Sequence, residues 1–251
     1  MWSLIPRVMD PQKISHAKVP SYGNWRRLIQ PFTGLVAVTI ACATISLAAG
    51  LGSIARAERP IKIVALGDSL TTGFGLATSA AFPAKIARAL AAKGLEVEVT
   101  DAGVSGDTAS GGLSRLAWSV PDGTDAVILE LGANDMLRGT DPKLTRAAIE
   151  QIVRALTDRG IAVLICGMRA APNLGEDYAH AFNVLFADVA AAYANRNVTY
   201  YPFFLDGVAA DPKLNQPDGL HPTAAGVDVI VARILPKVED LVVRVKSRKP
   251  Y

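Results

Sequence analysis

The chain has 251 residues, half of them hydrophobic and 20% charged, with two cysteines and a formal net charge of +3. That length suits one domain of about 150–200 residues plus an additional segment. Residues 1–57 hold six of the 26 basic residues and one of the 23 acidic ones, which leaves 20 basic against 22 acidic side chains, a net of −2, in the remainder. With the leader set aside there is no basic stripe, which argues against nucleic acid as a partner, and Cys166 stands alone, which excludes an intrachain disulfide or a cysteine-based zinc site.

The additional segment is N-terminal. After Arg26 and Arg27 no charged side chain occurs from Leu28 to Ala55, and the run closes on Ala55-Arg56-Ala57, a small-x-small site. A basic region, an apolar region and such a site read as a secretory signal. Residues 1–57 are therefore expected to be a leader and residues 58–251 the working domain, exported to the periplasm. The run is also long enough to span a bilayer, so an uncleaved anchor is the alternative, with membrane contact through the leader alone. Arg26-Arg27 fits a twin-arginine route with weak flanks, and Cys42 fits a lipidation site only if the apolar region ended there.

From Pro60 onward strand-like and helix-like segments alternate. Residues 61–67 (IKIVALG) form a continuous apolar run ending in glycine. Residues 79–94 have helical spacing with Gly94 as a stop, and residues 95–103 alternate like a strand. Residues 125–132 and 161–167 are again short buried-type runs ending in glycine. Between them, residues 141–160 carry Asp141 as a cap, Pro142 at the first helical position and Gly160 at the end. Residues 176–196 read as an amphipathic helix, 197–204 as a strand, and Thr223 to about Lys246 as a helix kinked at Pro236. Five short strands alternating with helices predict an α/β fold: a parallel sheet with helices on both faces and right-handed crossovers. In such sheets ligands bind beyond the carboxyl ends of the strands.

That rule decides which polar residues can meet. The first strand ends at Gly67-Asp68-Ser69, the second at residues 101–112, the third at residues 131–136, and the fifth is followed by residues 218–223 (DGLHPT). Acyl transfer requires a nucleophile, a base, a group that orients the base, and donors for the oxyanion. Ser69 offers a hydroxyl on a strand-to-helix turn. Of the two histidines beyond the leader, His180 sits in a predicted helix and reads as surface or half-buried rather than catalytic, while His221 follows Asp218 by three positions. That spacing lets a carboxylate reach Nδ1 and leaves Nε2 to face the serine. Asn134 offers a side-chain amide, and Gly106 a backbone N–H with no side chain in the way. Each residue also has a plainer role. Ser69 can be a turn serine, Gly106 a positive-φ position, Asn134 part of an Asx turn, His221 a satisfied loop histidine and Asp218 a turn cap. The plain roles must all coincide at one rim if the catalytic reading is discarded.

GDSL at 67–70, Gly106 within SGDT, G-x-N-D at 132–135 and D-x-x-H at 218–221 resemble, in order, the four blocks of the SGNH, or GDSL-type, hydrolases. The similarity extends over residues 61–240 and is nearest to the secreted bacterial branch of thioesterase I, lysophospholipase and arylesterase enzymes. The resemblance implies a three-layer α/β/α sandwich with a flavodoxin-like sheet, and no metal or cofactor. It implies Ser69 as nucleophile, His221 as base and Asp218 as its partner, with the Ser69 and Gly106 amides and Asn134 as the oxyanion hole. The expected substrate is a small-molecule carboxylic ester or thioester. Leu137, Met168, Ala170, Ala171 and Leu174 are expected to wall an apolar acyl pocket. Two alternatives stay open: an O-acetyl esterase of polysaccharides on the same triad, and a catalytically silent envelope binding module. The chain lacks G-x-S-x-G, which argues against a nucleophile elbow, and no lysine completes a phosphate loop after Ser69.

Overall fold

A computed structural model describes residues 59–248. The readings made for the leader, including its cleavage site, the arginine pair and Cys42, lie outside the described residues. Five strands, β1 (Ile61–Gly67), β2 (Val97–Gly103), β3 (Ala126–Glu130), β4 (Ala162–Cys166) and β5 (Val198–Tyr201), form one sheet in the order β2-β1-β3-β4-β5. Every pairing is parallel, with Gly67 level with Gly103 on one side and with Glu130 on the other. All residues of β3 and β4 are buried, as expected for strands covered on both faces. The edge strand β2 alternates instead, turning Glu98 outward between half-buried Val97 and Val99.

The helices are α1 (Ser69–Thr72), α2 (Phe82–Ala92), α3 (Ala109–Ser114), α4 (Leu116–Ser119), α5 (Ala133–Leu137), α6 (Pro142–Asp158), α7 (Glu176–Ala192) and α8 (Ala224–Arg248). From β1 the chain moves to one side to reach β2, then back past β1 to β3 and onward to β5. Right-handed crossovers in opposite directions put their helices on opposite faces. Accordingly α2 packs with α8, while α6 packs with α3 and α7, giving the three layers.

Local chemistry accounts for most boundaries. Asp141 caps α6 by accepting from the Lys143 N–H at 2.9 Å, with Pro142 at the first helical position. The expected helix at 79–94 is a 3₁₀ turn, Thr78–Ala80, followed by α2. The expected helix at 176–196 stops at Ala192, and a 3₁₀ turn, Ala194–Arg196, precedes Asn197 in the left-handed region at φ 61°. β5 is four residues long rather than eight, because Pro202 has no N–H to continue the ladder. Pro236 does not interrupt α8: it lies on the exposed side, where the carbonyl it leaves without a donor is open to water.

The core beneath α7 is aromatic. Phe182 is fully buried, stacks on Tyr178 at 5.9 Å and meets Phe186 edge-on at 5.5 Å. Phe182→Ala is expected to remove about 3–5 kcal/mol of stability. Urea unfolding followed by circular dichroism checks this, and a loss under 1 kcal/mol would show that the aromatic cluster is not a structural core.

Candidate active site

β1 delivers Ser69 by an abrupt turn. A Cβ on Gly67 would run into Thr71 Oγ1 and lie 2.7 Å from the Glu130 carbonyl, so only glycine lets the chain pass so close to β3. Asp68 then caps α1, its Oδ1 accepting from the Leu70 N–H at 2.9 Å. Ser69 opens that four-residue helix and is 8% exposed. Gly73, in the left-handed region at φ 75°, closes it.

The imidazole arrives from the segment after β5. His221 Nε2 lies 2.9 Å from Ser69 Oγ, and Nδ1 lies 2.6 Å from Asp218 Oδ2. Asp218 Oδ1 also accepts from the Leu220 N–H at 2.9 Å and the His221 N–H at 3.0 Å, so the aspartate organises its own turn. These hydrogen bonds draw the Asp218 carboxyl down to about 2, leaving it ionised throughout ordinary pH. The loop is tied to the rest of the rim by Gln216. Its Nε2 donates to the Phe74 carbonyl at 2.7 Å and the Pro222 carbonyl at 3.0 Å, while its N–H donates to the His221 carbonyl at 2.7 Å. The Phe74 ring rests on the imidazole, with centroids 4.6 Å apart.

Ser69, Gly106 and Asn134, the expected oxyanion donors, line one cavity together with His221. Ser69 N–H begins a helix and has no intrahelical acceptor. Gly106 has φ 81°, where a side chain would be strained, and Arg138 Nη2 donates to its carbonyl at 2.8 Å. Among the described residues neither N–H has a protein acceptor. Asn134 offers an amide that is already engaged. Its Nδ2 donates to Asp68 Oδ2 at 3.0 Å and to the Asp107 carbonyl at 2.9 Å, so an oxyanion must share one of those hydrogens.

A cavity of about 510 Å³ opens beside Ser69. Leu137 and Met168, two of the expected wall residues, line it, as do Ala170 and Ala171. Leu174 does not: it ends the 3₁₀ turn Pro172–Leu174, its N–H bonded back to the Ala171 carbonyl, and sits away from the lining. Its place is taken by Leu70, Phe74, Phe203, Leu205 and Leu220. The guanidinium of Arg169, at the rim, lies 4.8 Å from the centre of the Phe203 ring. His180 is exposed on α7, as expected.

Several supporting residues escape the motif reading. Buried Arg115 donates to the carbonyls of Gly67 and Ala102, each at 2.8 Å, and pairs with Asp107 at 2.7 Å. It thereby ties the ends of β1 and β2 to the loop that carries Gly106. Asp135 is buried and caps α3, accepting from the Ala109 N–H at 2.8 Å and from Thr145 Oγ1 at 3.1 Å. Asp68 and Glu130 are both fully buried, and burial pushes the Asp68 carboxyl up to about 6 and Glu130 well above its ordinary range. Glu130 was visible in the sequence as the sole charged residue in the apolar run 126–132, and that is the signal that would have found it.

The profile of the family described as GDSL-like Lipase/Acylhydrolase matches residues 65–229. Esterase TesA of Pseudomonas aeruginosa is 33% identical over 180 residues, spanning 71% of this chain and 88% of its own. Thioesterase 1/protease 1/lysophospholipase L1 of Escherichia coli K12 is 33% identical over 168 residues, 66% of this chain and 78% of its own. The crystal structure of AlinE4, an SGNH-hydrolase family esterase, superimposes with a TM-score of 0.61 at 38% identity, covering 73% of this chain and 97% of that one. With the four blocks at one rim and relatives of this kind, the chain belongs to the GDSL-like lipase/acylhydrolase family and is a serine esterase or thioesterase of the SGNH type.

Proposed function

We propose that Ser69, His221 and Asp218 are the catalytic triad and that the enzyme cleaves carboxylic esters and thioesters through an acyl-enzyme intermediate. The observation that carries this is the unbroken relay of 2.9 Å from Ser69 Oγ to His221 Nε2 and 2.6 Å from Nδ1 to Asp218. His221 takes the hydroxyl proton as Oγ attacks the carbonyl carbon. The tetrahedral oxygen receives the Ser69 and Gly106 N–H groups and one hydrogen of Asn134. The imidazolium, stabilised by Asp218, then protonates the leaving alcohol or thiol. Water repeats the sequence and releases the acid.

The apolar lining supports an alkyl or aryl acyl group in preference to a glycan. Substrates of the kinds named for the relatives, acyl thioesters and lysophospholipids, fit that lining. Leu137, Met168, Phe203 and Leu205 hold the chain in this reading. We also infer export to the periplasm from the leader pattern in residues 1–57.

Ser69→Ala is expected to lower kcat by roughly 10⁴–10⁶ on p-nitrophenyl esters. A fluorophosphonate should label the wild type at Ser69, as located by mass spectrometry of the digested protein. Label on another serine would end the assignment. Asn134→Ala should lower kcat by about 10²–10³ with little change in KM, the pattern of an interaction made only in the transition state. Ala171→Trp should shorten the pocket and cut kcat/KM for a twelve-carbon ester about tenfold or more while sparing the acetate, at ~0.8 kcal/mol per methylene displaced. Equal losses on both esters would place the acyl chain elsewhere.

A further inference from the structure

Glu130 ends β3 and is wholly buried. Its Oε2 accepts from Thr71 Oγ1 at 2.7 Å and from the Asp68 N–H at 3.4 Å, whereas Oε1 has no donor at all. The Asp68 carboxyl group lies in hydrogen-bonding contact with that of Glu130. Asp68 is furnished quite differently: Oδ1 holds the Leu70 N–H at 2.9 Å and Oδ2 holds Asn134 Nδ2 at 3.0 Å. Two touching carboxyl groups in the interior cannot both ionise, and the proton goes to the one with an oxygen that no donor meets, Glu130. An O–H on Glu130 gives its bare oxygen side a hydrogen-bonding role that a carboxylate could not have.

We propose that Glu130 is a neutral acid that donates its proton in a hydrogen bond to the Asp68 carboxylate, and that this bond positions Ser69 and Asn134 for catalysis. The pair carries one proton and one negative charge throughout turnover, and no bond to substrate is made by either group. Glu130 is thus a positioning residue acting through Asp68. Asp68 passes the alignment to α1 through Leu70 and to the oxyanion site through Asn134. The inference rests on the triad and oxyanion assignments above.

The surrounding groups are consistent with a single negative charge. Thr71 on α1 donates to Glu130, and burial pushes the Cys166 thiol on β4 up, so it stays neutral. The charge of Arg115 is matched by Asp107. The His221 imidazole, when protonated, favours ionised Asp68. Burial raises both carboxyl groups, as expected of a pair that shares one negative charge.

Two isosteric variants separate this from a packing role. Glu130→Gln keeps an N–H for Asp68 and an oxygen for Thr71; Glu130→Met keeps the volume and loses both. The Gln variant should hold kcat within about threefold with its acid limb in place. The Met variant should lose roughly 10–100-fold in kcat at unchanged KM, and its acid limb should move to higher pH, because Asp68 without its donor takes up a proton sooner. Infrared difference spectra of wild type against Glu130→Gln at neutral pH, taken without substrate, should show the loss of a protonated carboxylic-acid carbonyl band. Loss of a carboxylate band instead overturns the proposal, whether or not the Met variant folds. So do Gln and Met variants with the same pH profile. Full activity in Ser69→Ala would remove the triad while leaving the infrared result intact, so the two failures are distinguishable.

Discussion

A carboxylate held out of water at the end of β1 is the constraint around which the rim is built. Asp68 is fully buried, and an isolated charge there would be prohibitively costly. Its oxygens are instead met by a helix N-terminus and by an amide from the end of β3. Those same contacts fix where Ser69 begins α1 and which way Asn134 points. Gly67 completes the arrangement by letting β1 turn against β3 with no side chain between them. Arg115 holds the carbonyls on the other side of the turn. Desolvation of Asp68 and orientation of Ser69, the proposed nucleophile, are therefore one structural fact.

The strand order explains how residues far apart in the chain share a crevice. β1 lies between β2 and β3, so the loops leaving those neighbours flank Ser69 at once, one with Gly106 and the other with Asn134. The imidazole has no such advantage, since β5 is the far edge of the sheet. Its segment must cross back over the strand ends, and dedicated contacts hold it there. Asn215 Nδ2 donates to the Val208 carbonyl at 2.7 Å and the Asp211 carbonyl at 2.8 Å, and Asn215 forms a bridge to Pro222. Gln216 then joins this loop to Phe74 on the nucleophile side. Neighbouring strands position Gly106 and Asn134, the proposed oxyanion donors, by register; side-chain amides position His221, the proposed base, by anchoring.

This difference also governs how much could be read in the sequence. The parallel sheet was legible because buried strands announce themselves as apolar runs ending in glycine. The pairing of Asp218 with His221 was legible because it depends on a short spacing, the three residues that bring Asp218 Oδ2 to Nδ1. The helices α3 and α4 were not, since Gly111 and Gly112 weaken any helical pattern there. Tertiary contacts decide that segment: Asp135 accepts from the Ala109 N–H at its start, and Gly112 packs where a Cβ would strike Leu131. The wall residues past β5, Phe203 and Leu205, were missed because pocket walls are set by how loops fold back, which no local spacing encodes. Leu174 was assigned to the wall for the opposite reason: it is apolar and near Met168 in sequence, but the turn after Pro172 carries it off the lining.

Two aspartates at this rim show how environment divides one side chain between two roles. Asp218 is part-exposed, accepts two backbone N–H groups and faces the imidazole, and it is drawn down to about 2. Its charge is permanent, which suits the role proposed for it beside His221. Asp68 is buried, and desolvation outweighs its hydrogen bonds, so it is pushed up to about 6. Its charge is therefore conditional on the donors around it. An acid limb in activity cannot come from Asp218, which keeps its charge far below that range. A carboxylate that must stabilise charge is kept wet and well supplied with donors. A carboxylate that must hold geometry is buried, where each lost donor is felt strongly and where water cannot compete for the amide it keeps in place.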